Sequence, residues 1–270
     1  MTSAFLHYKS SRVHYTYSTN AGKPVVCFHG YGESESGFQF MEAYLPPGHM
    51  LIAIDLPLHG QTEWNEGLEF SITDVVAITE TILTDCSASL PITLLAYSMG
   101  GRVALHLLQQ IPAKIEKLVL LAPDGLKMNT WYWLATQTWI SNRLFRFTMK
   151  NPRWFILLLR GCNRLGILNQ SVLKFVNHYI GDPAVRHQLY QRWTCMRQIR
   201  PNLKAIKKII AQHKIHVALV YGEYDRIIRH ERGEKFRRGI ESFCTLRTIQ
   251  TGHQVLSKKN AALLAELLLA

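Results

Sequence analysis

The sequence predicts an α/β fold: a mostly parallel sheet flanked by helices, with a helical cap inserted part-way along the chain. Two observations carry that reading. Short apolar runs alternate with amphipathic stretches at both ends of the chain, which is the pattern of β-α-β units. All of the excess positive charge is confined to one internal segment. With 270 residues, 47% of them apolar, the chain can bury a substantial core.

Taken in order, strands are expected at residues 13–17, 25–28, 51–54, 92–96 and 117–121. A helix is expected over 72–86, where Val75, Val76, Ile78, Thr79, Ile82 and Leu83 gather near one face. Another follows the fourth strand directly, over 99–110. The pattern breaks off near residue 126 and resumes with a strand at 217–221, a helix around 229–240, a strand at 246–249 and a closing helix over 261–269. This divides the chain into a core at 1–125, a cap at 126–212 and the rest of the core at 213–270.

The expected cap has its own chemistry. It holds fifteen Lys or Arg against a single acid, Asp182, whereas the remainder has 16 basic and 18 acidic residues. Five of the six tryptophans lie in it: Trp131, Trp133, Trp139, Trp154 and Trp193. Its pattern is helical, with Leu203, Ile206, Ile209 and Ile210 on one face and Lys204, Lys207 and Lys208 largely off it.

Composition removes several classes. The longest charge-free stretch of this greasy section, 128–142, is too short and too polar to span a bilayer. The first twenty residues have no apolar core of a secretory leader. Cys27, Cys86, Cys162, Cys195 and Cys244 are odd in number, scattered and without a C-x-x-C pair, so neither a disulfide framework nor a zinc site is expected. They read as buried thiols in a reducing, cytoplasmic compartment, and no metal or cofactor is expected.

The chemistry is written around Ser98. An apolar strand runs into Ala96-Tyr97-Ser98-Met99-Gly100-Gly101 and then into a helix, the setting of a sharp turn that lifts a nucleophile out of the sheet. Such a turn tolerates only small residues two before and two after the serine, here Ala96 and Gly100. A serine hydroxyl needs a base, and the base needs an acid to fix its tautomer. His253 and Asp225 stand just after the last two predicted strands, and the order Ser, Asp, His fits. A developing oxyanion needs two backbone donors: the Met99 amide, next to the serine, and the Tyr31 amide in His29-Gly30-Tyr31-Gly32.

In this order, the segments HGYGES, DLPLHGQT, AYSMGGRVAL, GEYD and GH closely resemble those of α/β-hydrolases, and the likeness runs from about residue 13 to the C-terminus. The resemblance implies Ser98 as nucleophile, His253 as general base and acid, Asp225 as its orienting acid, and the Tyr31 and Met99 amides as oxyanion hole. Asp124, after the fifth predicted strand, matches the place where some members keep their acid and is the reserve. A serine nucleophile separates the chain from haloalkane dehalogenases and epoxide hydrolases, which use aspartate there.

Substrate choice rests with the cap and loops. The expected activity is a serine hydrolase cleaving a carboxylic ester with a hydrophobic acyl part. One alternative is carbon–carbon bond chemistry on an anionic substrate. Arg102 resembles the elbow arginine of menaquinone-pathway enzymes, where arginines hold substrate carboxylates. Another is a binding protein on a hydrolase frame, against which an intact Ser, His and Asp set argues. The basic cap reads as a solvated surface, a trap for an acidic substrate, or a peripheral contact with anionic lipid. No nucleic-acid motif accompanies it.

Overall fold

The architecture was taken from a computed structural model, which describes residues 1–20, 22–45, 47–164 and 179–269. Residues 165–178 of the expected cap and the side chain of Cys162 lie outside the described residues. The sheet has eight strands, β1 (Thr2–Tyr8), β2 (Ser11–Tyr17), β3 (Lys23–Phe28), β4 (His49–Ile54), β5 (Ile92–Tyr97), β6 (Ile115–Leu121), β7 (His216–Gly222) and β8 (Cys244–Ile249), in the order β1-β2-β4-β3-β5-β6-β7-β8. Strands β3 to β8 pair in parallel, while β1 and β2 run antiparallel at one edge. Every residue of β5, and all of β3 but its first, is buried, as expected where helices cover both faces of a parallel sheet.

Seven of these strands contain the expected apolar runs. Strand β1 was not foreseen. Only Leu6 of its seven residues is buried, so it lacks the apolar signature of an inner strand and is recruited by its hairpin partner β2. Helix α1 (Ile72–Asp85) starts at a capping box in which the Ser71 side chain accepts the Asp74 amide and Asp74 reaches back to Ser71. Helix α2 (Met99–Gln110) occupies the predicted span.

The chain divides into two compact units, one comprising Met1–Glu66, Phe70–Lys127 and Gln198–Ala270, the other Gly67–Glu69 and Met128–Arg197. The insert is therefore shorter at its far end than the expected 126–212. In the first unit, the Arg200 amide donates to His106 Nδ1 at 3.2 Å and the Asn202 amide to Gln109 Oε1 at 3.0 Å, both on α2. The chain is thus stitched to α2 before the basic helix begins, and that helix buries Ile206 and Ile210 in the first unit. Charge marked the insert in the sequence, and the lysines of this helix carried the mark too far.

The second unit contains α3 (Thr130–Thr136), α4 (Trp139–Lys150), α5 (Arg153–Arg164) and α6 (Pro183–Cys195). Asn129, Thr138 and Asp182 cap α3, α4 and α6 through their side chains. Inside it, Tyr132 packs edge-on against Trp193, and Asn142 donates to Thr194 Oγ1 at 3.0 Å. The first unit closes with α7 (Leu203–His213), α8 (Glu231–Arg237) and α9 (Ala261–Leu269). Helix α8 is shorter than the expected 229–240: Arg238 leaves helical geometry and Gly239 turns to φ +84°. Cys27, Cys195 and Cys244 are buried free thiols, whereas Cys86 is only half-buried at the end of α1, a departure from the expectation for it. Among the described residues, no helix is long and apolar enough to cross a membrane.

Candidate active site

The site grows out of the carboxyl ends of the central strands. At the end of β5 the backbone of Ser98 takes φ 48° and ψ −114°, a conformation L-residues avoid and one that only its surroundings can hold. Those surroundings are explicit. The Ser98 amide donates to the Leu121 carbonyl at 2.9 Å, and the Ser98 carbonyl accepts the amides of Gly101 at 3.0 Å and Asp124 at 2.8 Å. The small neighbours are required sterically, since a Cβ on Gly100 would lie 2.0 Å from the Phe28 carbonyl oxygen. Ala96 is fully buried.

The loops after β7 and β8 supply the rest. They touch so closely that a Cβ on Gly222 would lie 1.9 Å from the Gly252 oxygen, and this approach brings Asp225 beside His253. His253 Nδ1 is 2.7 Å from Asp225 Oδ2, and His253 Nε2 is 3.0 Å from Ser98 Oγ. Asp225 Oδ1 accepts the amides of Ile227 at 2.7 Å and Ile228 at 2.9 Å. Burial pushes the Asp225 carboxyl up, but the hydrogen bonds from His253, Ile228 and Ile227 outweigh it and hold the group below the ordinary carboxylate range. An ionised Asp225 requires the Nδ1 proton on His253, which leaves Nε2 free to accept the proton of Ser98. The Asp225 side chain is sealed from solvent while the imidazole is 19% accessible, so the pair has a dry carboxylate end and an imidazole end open to solvent.

Several contacts around the imidazole were not foreseen. The Tyr97 hydroxyl lies 3.2 Å from the His253 carbonyl, within donating distance, and its ring is 5.4 Å from the imidazole, centre to centre. Burial raises the Tyr97 pKa, so it stays a neutral donor. Glu33 lies against Gly30, with burial pushing its carboxyl up and Gln254, Gly30 and His253 partly opposing. In the sequence Tyr97 looks like an ordinary strand residue. Its place immediately before Ser98 was the available signal.

The loop carrying Tyr31 is braced from beneath. The Leu56 amide donates to His29 Nε2 at 3.0 Å, so the His29 proton sits on Nδ1, which donates to the Gly30 carbonyl at 2.7 Å. Asp55 collects the Glu35 amide at 2.8 Å, the Gln61 amide at 2.9 Å and His14 Nδ1 at 2.7 Å. Among the described residues, His14, Glu35 and Asp55 have ligand atoms within 4.8 Å of one another. A cation there would have to displace the bonds just described. The His14 role was missed, and its signal was a histidine set between Val13 and Tyr15 within an expected strand.

The two remaining predicted residues are occupied with each other. Arg102 is buried and pairs with Asp124 through Nε at 3.1 Å and through a closer contact from Nη2, while Asp124 Oδ1 accepts the Gly125 amide at 2.7 Å. The reserve acid is therefore on Arg102, not on His253. The carboxylate foreseen for Arg102 is supplied by the protein itself.

Comparison with known proteins agrees with this frame. The chain is 26% identical to the uncharacterized hydrolase YugF of Bacillus subtilis (strain 168) over 247 residues, 90% of this chain and 88% of that one. Shorter likenesses reach a provisional 2-succinyl-6-hydroxy-2,4-cyclohexadiene-1-carboxylate synthase of the same bacterium, at 34% over 40% of this chain and 39% of that one. A pimeloyl-[acyl-carrier protein] methyl ester esterase of Neisseria meningitidis is 32% identical over 38% of this chain and 37% of its own. The thioesterase domain from the curacin biosynthetic pathway superposes with a TM-score of 0.63 at 18% identity, covering 100% of this chain and 99% of the domain. The family described as serine aminopeptidase, S33, matches residues 19–259, a span that begins ahead of β3 and takes in both the elbow and His253, and the chain belongs to that α/β-hydrolase family.

Proposed function

We propose that the protein cleaves carboxylic esters with a hydrophobic acyl part through an acyl-enzyme on Ser98. One observation carries the proposal: Ser98 Oγ, His253 Nε2 and Asp225 Oδ2 form a continuous hydrogen-bonded line of 3.0 and 2.7 Å. In the proposed reaction Ser98 Oγ attacks the carbonyl carbon as its proton passes to His253 Nε2, and the Met99 and Tyr31 amides receive the oxyanion. The tetrahedral species collapses, and His253 returns the proton to the departing alcohol. Water then repeats the sequence against the acyl-enzyme and releases the acid. Hydrolysis as such follows from the family, and the ester class is supported by the names of the esterase and thioesterase relatives. The preference for a hydrophobic acyl part is the part of the proposal that a chain-length series of esters tests.

The synthase-like relative favours a second reading, elimination or carbon–carbon chemistry on an anionic substrate with the same three residues. The Arg102–Asp124 pair weighs against it, because that guanidinium already has a carboxylate. A fluorophosphonate probe should label the wild type and spare Ser98→Ala, and the wild type should hydrolyse a chain-length series of nitrophenyl esters. Absence of labelling in folded wild type rejects the serine reading and leaves ligand binding. Labelling with turnover only in a menaquinone-precursor assay assigns the second reading.

A further inference from the structure

The second unit inverts the usual rule for a helix on a globular protein. In α4 the described contacts put Asn142, Thr148 and Met149 inward, while Trp139 and Ile140, each 73% accessible, face solvent with Leu144 and Phe147. At 3.6 residues per turn Trp139, Arg143, Phe147 and Lys150 form one strip, with Ile140 and Leu144 alongside. Arg143 and Lys150 are exposed, and the Arg143 guanidinium stands 5.2 Å over the Trp139 ring. Helix α5 repeats the arrangement: Trp154, Leu157 and Leu158 are exposed, Leu159 is buried, and Arg153 and Arg160 are exposed on the flank of the apolar strip. Helix α3 adds Trp131, 69% accessible, and Trp133. Side chains of this size left in water mark a surface meant to be covered.

Charge decides what covers it. From residue 128 to 197 the chain holds ten Lys or Arg and one acid, Asp182, which is used to cap α6. A second copy seated on the same faces would bring cation against cation. An apolar partner with anions at its rim satisfies both halves of the pattern, and a bilayer interface of acidic phospholipid is such a partner: the rings and Leu side chains enter between the acyl chains while Arg and Lys meet the phosphates. We infer that the exposed faces of α4 and α5 attach this protein peripherally to anionic membrane surfaces. The attachment is independent of the Ser98 chemistry.

Sedimentation of the full-length protein with phosphatidylcholine vesicles, with and without phosphatidylserine, tests this at low and high salt. The wild type should go down with the phosphatidylserine vesicles at low salt, stay in solution with phosphatidylcholine alone, and be released by salt. Tryptophan emission should shift to the blue on binding. Trp139→Ser/Phe147→Ser and Arg143→Glu/Lys150→Glu change only exposed positions, and each should weaken partitioning by at least about tenfold. Ser98→Ala should bind as the wild type does, which separates this inference from the catalytic one. Wild type remaining in the supernatant with acidic vesicles at low salt overturns the inference, as does undiminished binding by both double variants. A concentration-dependent dimer abolished by Trp139→Ser/Phe147→Ser, without vesicle binding, would overturn it in favour of a second copy.

Discussion

At the scale of single residues, the proposed mechanism divides its labour between a dry carboxylate and a wet imidazole. Replacing Ser98 by Ala removes the proposed nucleophile, and kcat on a nitrophenyl ester should fall on the order of a million-fold. Asp225→Asn keeps the shape but frees the wrong imidazole nitrogen, and kcat should fall roughly ten-thousand-fold with KM nearly unchanged. Steady-state kinetics on the two purified variants check both figures. The three residues were legible because each is announced by its neighbours: small residues around Ser98, and the ends of predicted strands before Asp225 and His253. The pairing of Arg102 with Asp124 was not, because their meeting depends on the turn after β6 carrying residue 124 back over the start of α2. Each was assigned a task alone, and their charges cancel instead.

At the scale of elements, helix termini and turns carry the most sensitive positions. Burial would raise Asp74 at the start of α1, but Lys9, Ser71 and Tyr8 together hold it down to about 2 from an ordinary 3.8. A carboxyl whose folded pKa lies below its unfolded one stabilises fully above the unfolded value and loses that contribution as pH falls through the folded value. Asp74→Asn should therefore cost about 1 kcal/mol at neutral pH, and the gap from wild type should close between about pH 4 and pH 2, as read by thermal melts across that range. Gly100→Ala pushes a methyl into a main-chain oxygen that cannot rotate away, so a loss of about 3 kcal/mol is expected, and calorimetry with ester turnover should show both stability and activity falling. Inner strands and long amphipathic helices could be read from periodicity alone. The edge strand β1 and the ownership of α7 could not: β1 has no apolar signature of its own and forms by pairing with the strand that follows it, while α7 is held by α2, which is distant in sequence.

At the scale of the whole molecule, the two units carry separable reporters. Trp131, Trp133, Trp139, Trp154 and Trp193 lie in the second unit and Trp64 in the first, whereas every candidate catalytic group is in the first. The first unit has an eight-stranded sheet with a deep apolar interior, while the second leaves much of its greasy surface in water. In a urea titration, tryptophan emission should change at lower denaturant than the loss of fluorophosphonate labelling. Coincident transitions would mean that the units melt as one. The clamp on the Ser98 backbone has a practical corollary. Its peptide groups are gripped by Leu121, Gly101 and Asp124 through main-chain bonds that owe nothing to the hydroxyl. An alanine at this bend should keep the backbone in place while removing the proposed nucleophile, so that mass spectrometry of small molecules retained by Ser98→Ala from a cell extract should identify the physiological substrate.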